Sequence, residues 1–358
     1  MTAAVSPVPR VSVLMTMYNA ARDLGAAVES VRAQTFADFE FIIVDDGSTD
    51  GSVALVESCA DPRIRLVRNA ANQGQTACLN QGLALARGEY IARQDADDVS
   101  LPERLRRQVE FLDTHREIAL LGTAGEQIDE TGRVLGPVTL PRETLAIRWA
   151  NLFDNSFLHS AVMFRARVVR EEFGGYDEAF RCSQDYALWS QIARRHAVAN
   201  LGEKLIRLRV HAGSMMRSQT SLLESETDRM LRANLAAEFP ARSFSEEEVA
   251  LLKQFRAHIP PAALPRFHAL FAELRAAFCT AHPEARTSPA LRETAGRQLA
   301  RVAYNLLPEH RGAALREYAR CVRAWPGALL ALPWPRVLAL VLLGDSARDF
   351  YRKFFPAK

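Results

Sequence analysis

The chain has 358 residues, 48% of them hydrophobic, which is enough for two domains and a sizeable core. Lys and Arg number 45 against 42 Asp and Glu, and a net charge of +3 excludes a general nucleic-acid binder. The basic excess is local: Arg320 to Lys358 holds seven basic and two acidic residues, and the remainder holds 38 and 40.

Residues 1–10 (Met-Thr-Ala-Ala-Val-Ser-Pro-Val-Pro-Arg) lack the apolar core of a signal peptide and read as a disordered lead-in. Apolar, β-rich runs then begin near Val11, Phe39, Ile64 and Glu89. The first separator carries Leu24, Val28 and Val31 on one helical face, and the third carries Leu79 and Leu83. Such alternation, repeated about every 25 residues, predicts βαβ units and a parallel sheet flanked by helices. Open α/β sheets bind ligands at the carboxyl ends of their strands. Two acidic clusters fall there, Asp45-Asp46-Gly47-Ser48-Thr49-Asp50 and Asp95-Ala96-Asp97-Asp98.

In the first cluster a buried strand runs into two carboxylates, a turn-forming glycine and a group of helix-capping residues. Capping accounts for Gly47 to Asp50 but leaves Asp45 and Asp46 unexplained. Carboxylates at a strand end suit an imide N–H or a ribose hydroxyl, as in a nucleotide ligand. The second cluster puts three carboxylates in four residues. A hard divalent cation, Mg²⁺ or Mn²⁺, neutralises that density, commonly through one or two carboxylates plus substrate phosphates.

Five cysteines (Cys59, Cys78, Cys182, Cys279, Cys321) are odd in number and without CxxC spacing, against both a disulfide framework and a zinc site. A reducing, cytoplasmic compartment is expected.

Near residue 215 the β-rich runs stop. Helical segments follow, punctuated by Pro240, Pro260-Pro261, Pro283 and Pro308. Ser245-Glu246-Glu247-Glu248 predicts a capping box. Leu299, Val302, Ala303, Leu306 and Leu307 form one stripe and Leu315, Tyr318, Ala319 and Val322 another, as in a helical hairpin. The expected organisation is a catalytic domain over 11–215 and a helical accessory domain over 216–358. No run reaches the roughly 20 apolar residues that span a bilayer. The closest, Trp325 to Gly344, is cut by Pro326, Pro333 and Pro335. With Arg348, Tyr351, Arg352, Lys353, Phe354 and Phe355 behind it, the tail suits a peripheral membrane contact, although a helix packed on its own domain is the simpler expectation.

Taken in order, Val11 to Asn19, Gln34 to Glu40, Val44 to Asp50, Asn72-Gln73-Gly74 with Asn80-Gln81-Gly82, Ala86 to Asp98 and Leu101-Pro102-Glu103-Arg104-Leu105 resemble the motif series of family 2 inverting glycosyltransferases of the GT-A fold. The match is densest over 11–115 and continues more thinly to about 215.

The resemblance implies an α/β, Rossmann-like sheet and transfer of a sugar from a nucleoside-diphosphate donor to a glycan or lipid-linked acceptor hydroxyl. UDP is the implied carrier, with dTDP and GDP as alternatives. It implies that Thr16, Tyr18, Asp45 and Asp46 line the nucleoside pocket. Asp95 and Asp97, with Asp98 beside them, would hold ribose and a Mn²⁺ or Mg²⁺ ion, either Asp97 or Asp98 being the direct ligand, and Arg93 would reach phosphate. His211 would approach the metal or diphosphate, and His159 marks the acceptor side. Gln184-Asp185 takes the place of the family's acidic dipeptide, so Asp185 is the implied base. The glutamine keeps open a subunit that binds nucleotide sugar without turnover. A sugar-nucleotide pyrophosphorylase would begin with a Gly-rich basic loop where this chain has Thr16-Met17-Tyr18-Asn19, and no P-loop or strand-linked GxGxxG occurs.

Overall fold

A computed structural model describes residues 8–211, 220–255, 259–306 and 310–325. Residues 1–7 of the lead-in, Leu307 and Pro308, and the tail over 326–358 lie outside the described residues. The chain forms two compact units, Met1–Arg142 with Phe157–Glu226, and Glu143–Ser156 with Thr227–Lys358.

The first unit is built on one nine-stranded sheet. Its strands are β1 (Val11–Met17), β2 (Phe39–Asp45), β3 (Ile64–Arg68), β4 (Tyr90–Asp95), β5 (Val99–Ser100), β6 (Ile118–Ile128), β7 (Val134–Val138), β8 (Met163–Arg165) and β9 (Ala197–Arg209). The order is β3-β2-β1-β4-β8-β6-β9-β5, with β7 paired to β6. All four runs read as strands are strands, and β3, β2, β1 and β4 are parallel. Every residue of β1 and β2 is buried, as parallel strands covered on both faces require.

Past β4 the sheet is mixed. The strand β8 lies antiparallel to β4 and β6, β5 to β9 and β7 to β6, whereas β6 and β9 are parallel. Four of the eight pairings are thus antiparallel, against the mostly parallel expectation. The three-residue β8 follows a single 3₁₀ turn, His159–Ala161.

Helices α1 (Ala21–Arg32), α2 (Ser52–Glu57), α3 (Gln75–Leu85) and α4 (Arg104–Thr114) flank the sheet. Helix α1 buries Leu24, Ala27, Val28 and Val31, and α3 buries Cys78, Leu79 and Leu83, the faces read from the sequence. Helix α5 (Thr144–Ala150) belongs to the second unit. Helix α6 (Ala166–Val168) runs into a π turn, Val169–Phe173, and α7 (Gln184–Arg195) precedes β9.

The second unit is helical. Helix α8 (Thr220–Glu238) gives its residues up to Glu226 to the first unit and the rest to the second. Then come α9 (Glu246–Gln254), α10 (Leu264–Ala281), α11 (Pro289–Leu306) and α12 (Arg311–Ala324). The capping box forms as read: Ser245 Oγ accepts from Glu248 N, and the Glu248 carboxylate accepts from Ser245 N. Trp149 from α5 packs edge-on against Phe153, Phe271 and Phe278 and donates its indole N–H to Gln298 at 2.7 Å.

Helices α11 and α12 pack together. Val302, Ala303 and Leu306 are buried as expected, but on α12 the inner face carries Ala313, Ala314, Glu317 and Cys321, while Leu315 is exposed. Glu317 faces inward because it pairs with His268 of α10. A buried polar pairing of this kind leaves no trace in an apolar stripe, and the expected register was shifted accordingly.

Candidate active site

Parallel pairing sets three strand ends side by side. Thr16 of β1 is opposite Asp95 of β4, and Met17 is opposite Asp45 of β2. Both acidic clusters therefore share one edge of the sheet, although fifty residues separate them in the chain.

At the β2 end, both oxygens of Asp45 face the backbone N–H of Ser48, at 3.2 and 3.3 Å. Gly47 adopts φ +76°, and a Cβ there would lie 3.0 Å from the backbone of Ala71. Only glycine accommodates both the turn and that approach. Asp46 ties down the loop before α3: Oδ1 accepts from Gln73 N at 2.8 Å and Asn69 Nδ2 at 3.3 Å, and Oδ2 accepts from Gly74 N at 2.8 Å. Burial alone would raise its pKa, but the Gln73 N–H, the Cys78 thiol, the Gly74 N–H and the Asn69 amide hold it below the usual range.

Replacing Asp46 with alanine leaves two backbone N–H groups without their acceptor, at about 1–3 kcal/mol each. Urea unfolding should show a loss of about 2–6 kcal/mol. A change under 0.5 kcal/mol would show that water replaces the carboxylate at no cost.

At the β1 end, Thr16 is buried and Tyr18 is exposed. The next residue, Asn19, has φ +49°, rare outside glycine. Asn19 donates its N–H to Ser48 Oγ and accepts from Thr49 N, both at 2.9 Å, so the loops after β1 and β2 are locked together.

At the β4 end, Arg93 is fully buried. Its guanidinium donates to Asp95 Oδ1 at 2.5 Å, to the Leu14 carbonyl at 3.2 Å and to Thr16 Oγ1 at 3.3 Å. It sits behind Asp95, and this differs from the expectation that it reaches phosphate. Ser160 completes the grip, accepting from Asp95 N at 2.9 Å and donating to Asp95 Oδ2 at 2.8 Å. Burial works to raise the Asp95 pKa, yet the Arg93 charge, aided by the hydrogen bonds from Ser160 and Arg93, holds it low. Asp95 is an ionised, fixed acceptor.

Asp97 and Asp98 differ sharply. The Asp97 side chain is 34% exposed, and its Oδ2 is 3.0 Å from His211 Nε2. Asp98 is buried and accepts from Arg209 N at 2.8 Å. Burial and its two acidic neighbours push Asp98 well above the ordinary range; burial and Asp95 also raise Asp97, against the pull of His211. Asp98 thus faces the protein through one of its oxygens. Among the described residues no group of three or more His, Cys, Asp and Glu side chains is placed to hold a metal. Asp97 and His211 offer one hard oxygen and one imidazole, a pair that suits Mn²⁺ or Mg²⁺ once phosphate oxygens complete the shell.

The turn carrying these carboxylates is pinned from behind. Gln94 Nε2 donates to the carbonyls of Asp95 and Asp98, and Gln94 Oε1 accepts from Ser100 and from Arg104. Arg104, fully buried, also donates to the Arg93 carbonyl at 2.6 Å. Burial, and then the charge of Arg93, lower its pKa to about 9.

Asp185 lies in the first turn of α7, partly exposed, with Oδ1 accepting from Tyr186 N at 2.7 Å. Gln184 is buried, and its amide donates to Gln75 Oε1 at 2.9 Å. Tyr176 relates this helix to the acidic turn: burial raises its phenol, and the charges of Asp185 and Asp95 both add to the rise while Arg93 opposes it. Beside it His159 Nε2 is 3.5 Å from the phenol oxygen. Burial and Arg93 depress the His159 pKa to about 3 against the pull of Asp95, so the ring is neutral.

Thr16, Asp45, Asp46, Asp95 and Asp97 thus share one sheet edge, with His211 joined to them by Asp97. Ser160, Arg104, Arg209 and Tyr176 were missed. Ser160 directly follows a histidine that was singled out; the others are single residues whose value appears only when the sheet brings them together.

The family model described as Glycosyl transferase family 2 matches residues 12–173. The putative glycosyltransferase EpsE of Bacillus subtilis is 33% identical over 266 residues, 73% of this chain and 93% of that protein. The amylovoran biosynthesis glycosyltransferase AmsE of Erwinia amylovora is 33% identical, covering 57% of this chain and 77% of its own. Among solved structures, S. aureus TarS 1-349 in complex with UDP-GlcNAc superposes with a TM-score of 0.53 at 17% identity over 89% of this chain and 90% of its own. The mannosyltransferase PcManGT of Pyrobaculum calidifontis, in complex with GDP-Man and Mn²⁺, gives 0.51 at 19% identity over 85% and 89%. These likenesses establish the GT-A fold.

Proposed function

This chain belongs to glycosyltransferase family 2, and from that premise we propose that it moves one sugar from a UDP-sugar to a hydroxyl of a growing polysaccharide or glycolipid, with inversion at the anomeric carbon. The observation that carries the reading is the row of acidic side chains on one sheet edge, with Asp95 fixed by Arg93 and Ser160 and Asp97 left partly open beside His211. Polysaccharide synthesis is suggested by AmsE, and a nucleotide-sugar donor by the ligands of TarS and PcManGT.

In this reading the end of β1, with Thr16 and Tyr18, and the Asp45 turn receive the nucleoside. Asp46 shapes that pocket through the loop it ties. Asp95 accepts from a ribose hydroxyl, its orientation already set. Asp97 and His211 would hold Mn²⁺ or Mg²⁺, which when bound would neutralise charge on the donor diphosphate. Asp185 removes the proton of the acceptor hydroxyl as that oxygen attacks the anomeric carbon from the face opposite the diphosphate. A single displacement inverts configuration and needs no covalent intermediate. Neutral His159 beside Tyr176 offers an uncharged polar wall on the acceptor side.

None of the five cysteines forms a disulfide, which suits the cytoplasm. Among the described residues no helix is long and apolar enough to cross a membrane. Contact with the inner face of the plasma membrane is assigned to the cationic, aromatic tail over 326–358.

The test is a screen of UDP-, dTDP- and GDP-sugars with and without Mn²⁺, reading release of the nucleoside diphosphate. UDP release that depends on Mn²⁺ is expected. Nucleotide binding without release from any donor would overturn the assignment of turnover, and preferential release of GDP would overturn the choice of carrier.

A further inference from the structure

Helix α7, which carries Asp185, begins without a cap of its own. Ser183 occupies the N-cap position, but its hydroxyl makes no capping bond. The backbone leading into it is held instead by a residue 43 positions further on. Glu226 of α8, buried at 6% exposure, receives Arg181 N on Oε1 at 2.7 Å and both Cys182 N and Ser183 N on Oε2, at 2.9 and 2.8 Å. Three successive backbone N–H groups converging on one carboxylate form an anion nest. Here the anion belongs to the protein.

The arrangement costs something. A buried carboxylate is tolerated only when its charge is answered by strong hydrogen bonds. What the distant carboxylate adds is a fixed path for the backbone leading into α7, because all three residues before Gln184 are tied to one side chain of another helix. Asp185 is two residues beyond the last of them. Its neighbours are held too: Thr76 Oγ1 donates to the Phe180 carbonyl at 2.7 Å, and Gln184 bonds Gln75. The segment 180–184 is thus clamped on two sides, by α3 and by α8. The chain itself runs from His211, beside Asp97 and two residues past β9, to Glu226 within fifteen residues, so the segment that carries this imidazole is followed by the helix that fixes the backbone entering α7.

We infer that Glu226 is a positioning residue for Asp185. By fixing the backbone that enters α7 it sets the Asp185 carboxylate to meet the acceptor hydroxyl, and it touches neither donor nor acceptor. This rests on the reading of Asp185 as the base. Misplacing a catalytic group by about 1 Å can cost roughly 10²-fold in rate, so the effect should appear in kcat and leave nucleotide affinity alone.

Glu226→Ala removes the acceptor of three N–H groups and can fail to fold. Glu226→Gln is the working variant: its amide oxygen still accepts while its NH₂ sets a donor against a donor. Thermal melting, affinity for UDP with Mn²⁺, and transfer kcat are measured for Glu226→Gln, Asp185→Asn and the double variant. The expected result is a fall in kcat of about 10–100-fold in Glu226→Gln, with UDP affinity within about twofold and melting within about 5 °C of the parent. In the Asp185→Asn background the same change should cost less than about threefold, since residues acting as a unit are not additive. Equal costs in both backgrounds, or a joint loss of melting temperature, UDP affinity and transfer in Glu226→Gln, would overturn the proposal by making Glu226 structural. Unimpaired transfer by Asp185→Asn would instead overturn the base assignment, whatever Glu226→Gln does.

Discussion

Replacing Asp97 with alanine is expected to lower transfer by about 10³-fold, equivalent to about 4 kcal/mol of transition-state stabilisation. Of the three carboxylates in the turn after β4, Asp95 is committed to Arg93 and Ser160, and Asp98 to the Arg209 N–H. Asp97 is the one with a third of its side chain open, and it faces His211. With the side chain gone, added Mn²⁺ should no longer stimulate the reaction, and a chelator that silences the parent should make no further difference to the variant. Asp98→Asn gives the contrast, because an amide oxygen can still accept from Arg209 N; its loss should be under about tenfold. Metal stimulation that survives in Asp97→Ala, or a larger loss in Asp98→Asn than in Asp97→Ala, would move the metal contact elsewhere.

Asp185→Asn is the second large effect. A positioned general base contributes about 10²–10⁴-fold, and kcat should fall within that span while affinity for UDP stays within about twofold. The sign of the pH dependence follows from the chemistry: the base acts when ionised, so parent activity rises as pH rises through its pKa, and this acid limb should vanish in the variant. Transfer within tenfold of the parent, or an unchanged acid limb, would remove Asp185 from the reaction.

How much of this was legible in advance depended on the range of the interaction. The strands and the buried faces of α1 and α3 follow from side-chain periodicity, and the capping box at Ser245 from residues three apart. Asp45, Asp46, Asp95 and Asp97 were singled out because they cluster along the chain at strand ends. The sequence did not separate Asp97 from Asp98, since the difference is made by Arg209 more than a hundred residues away. Nor did it show that Arg93 turns inward, because a cation beside an acidic cluster reads as a ligand contact until burial is known. The face of α12 was misread for a related reason, a charged residue paired inside the protein. Glu226 carries no local mark at all; its three partners are 43 to 45 positions earlier.

The short stretch Glu143–Ser156 has a practical consequence. It belongs with the helices of the second unit although it is encoded between two halves of the first, and its Trp149 and Phe153 find their ring partners among Phe255, Phe271 and Phe278. No single cleavage of the polypeptide separates the units. A gene shortened to end near residue 215 would yield a product with an orphaned tryptophan and phenylalanine, prone to cling to other molecules, and its silence in an assay would say nothing about chemistry. Over evolutionary time the same threading makes the helical part hard to shed or exchange by recombination at one point, so the two units are inherited together.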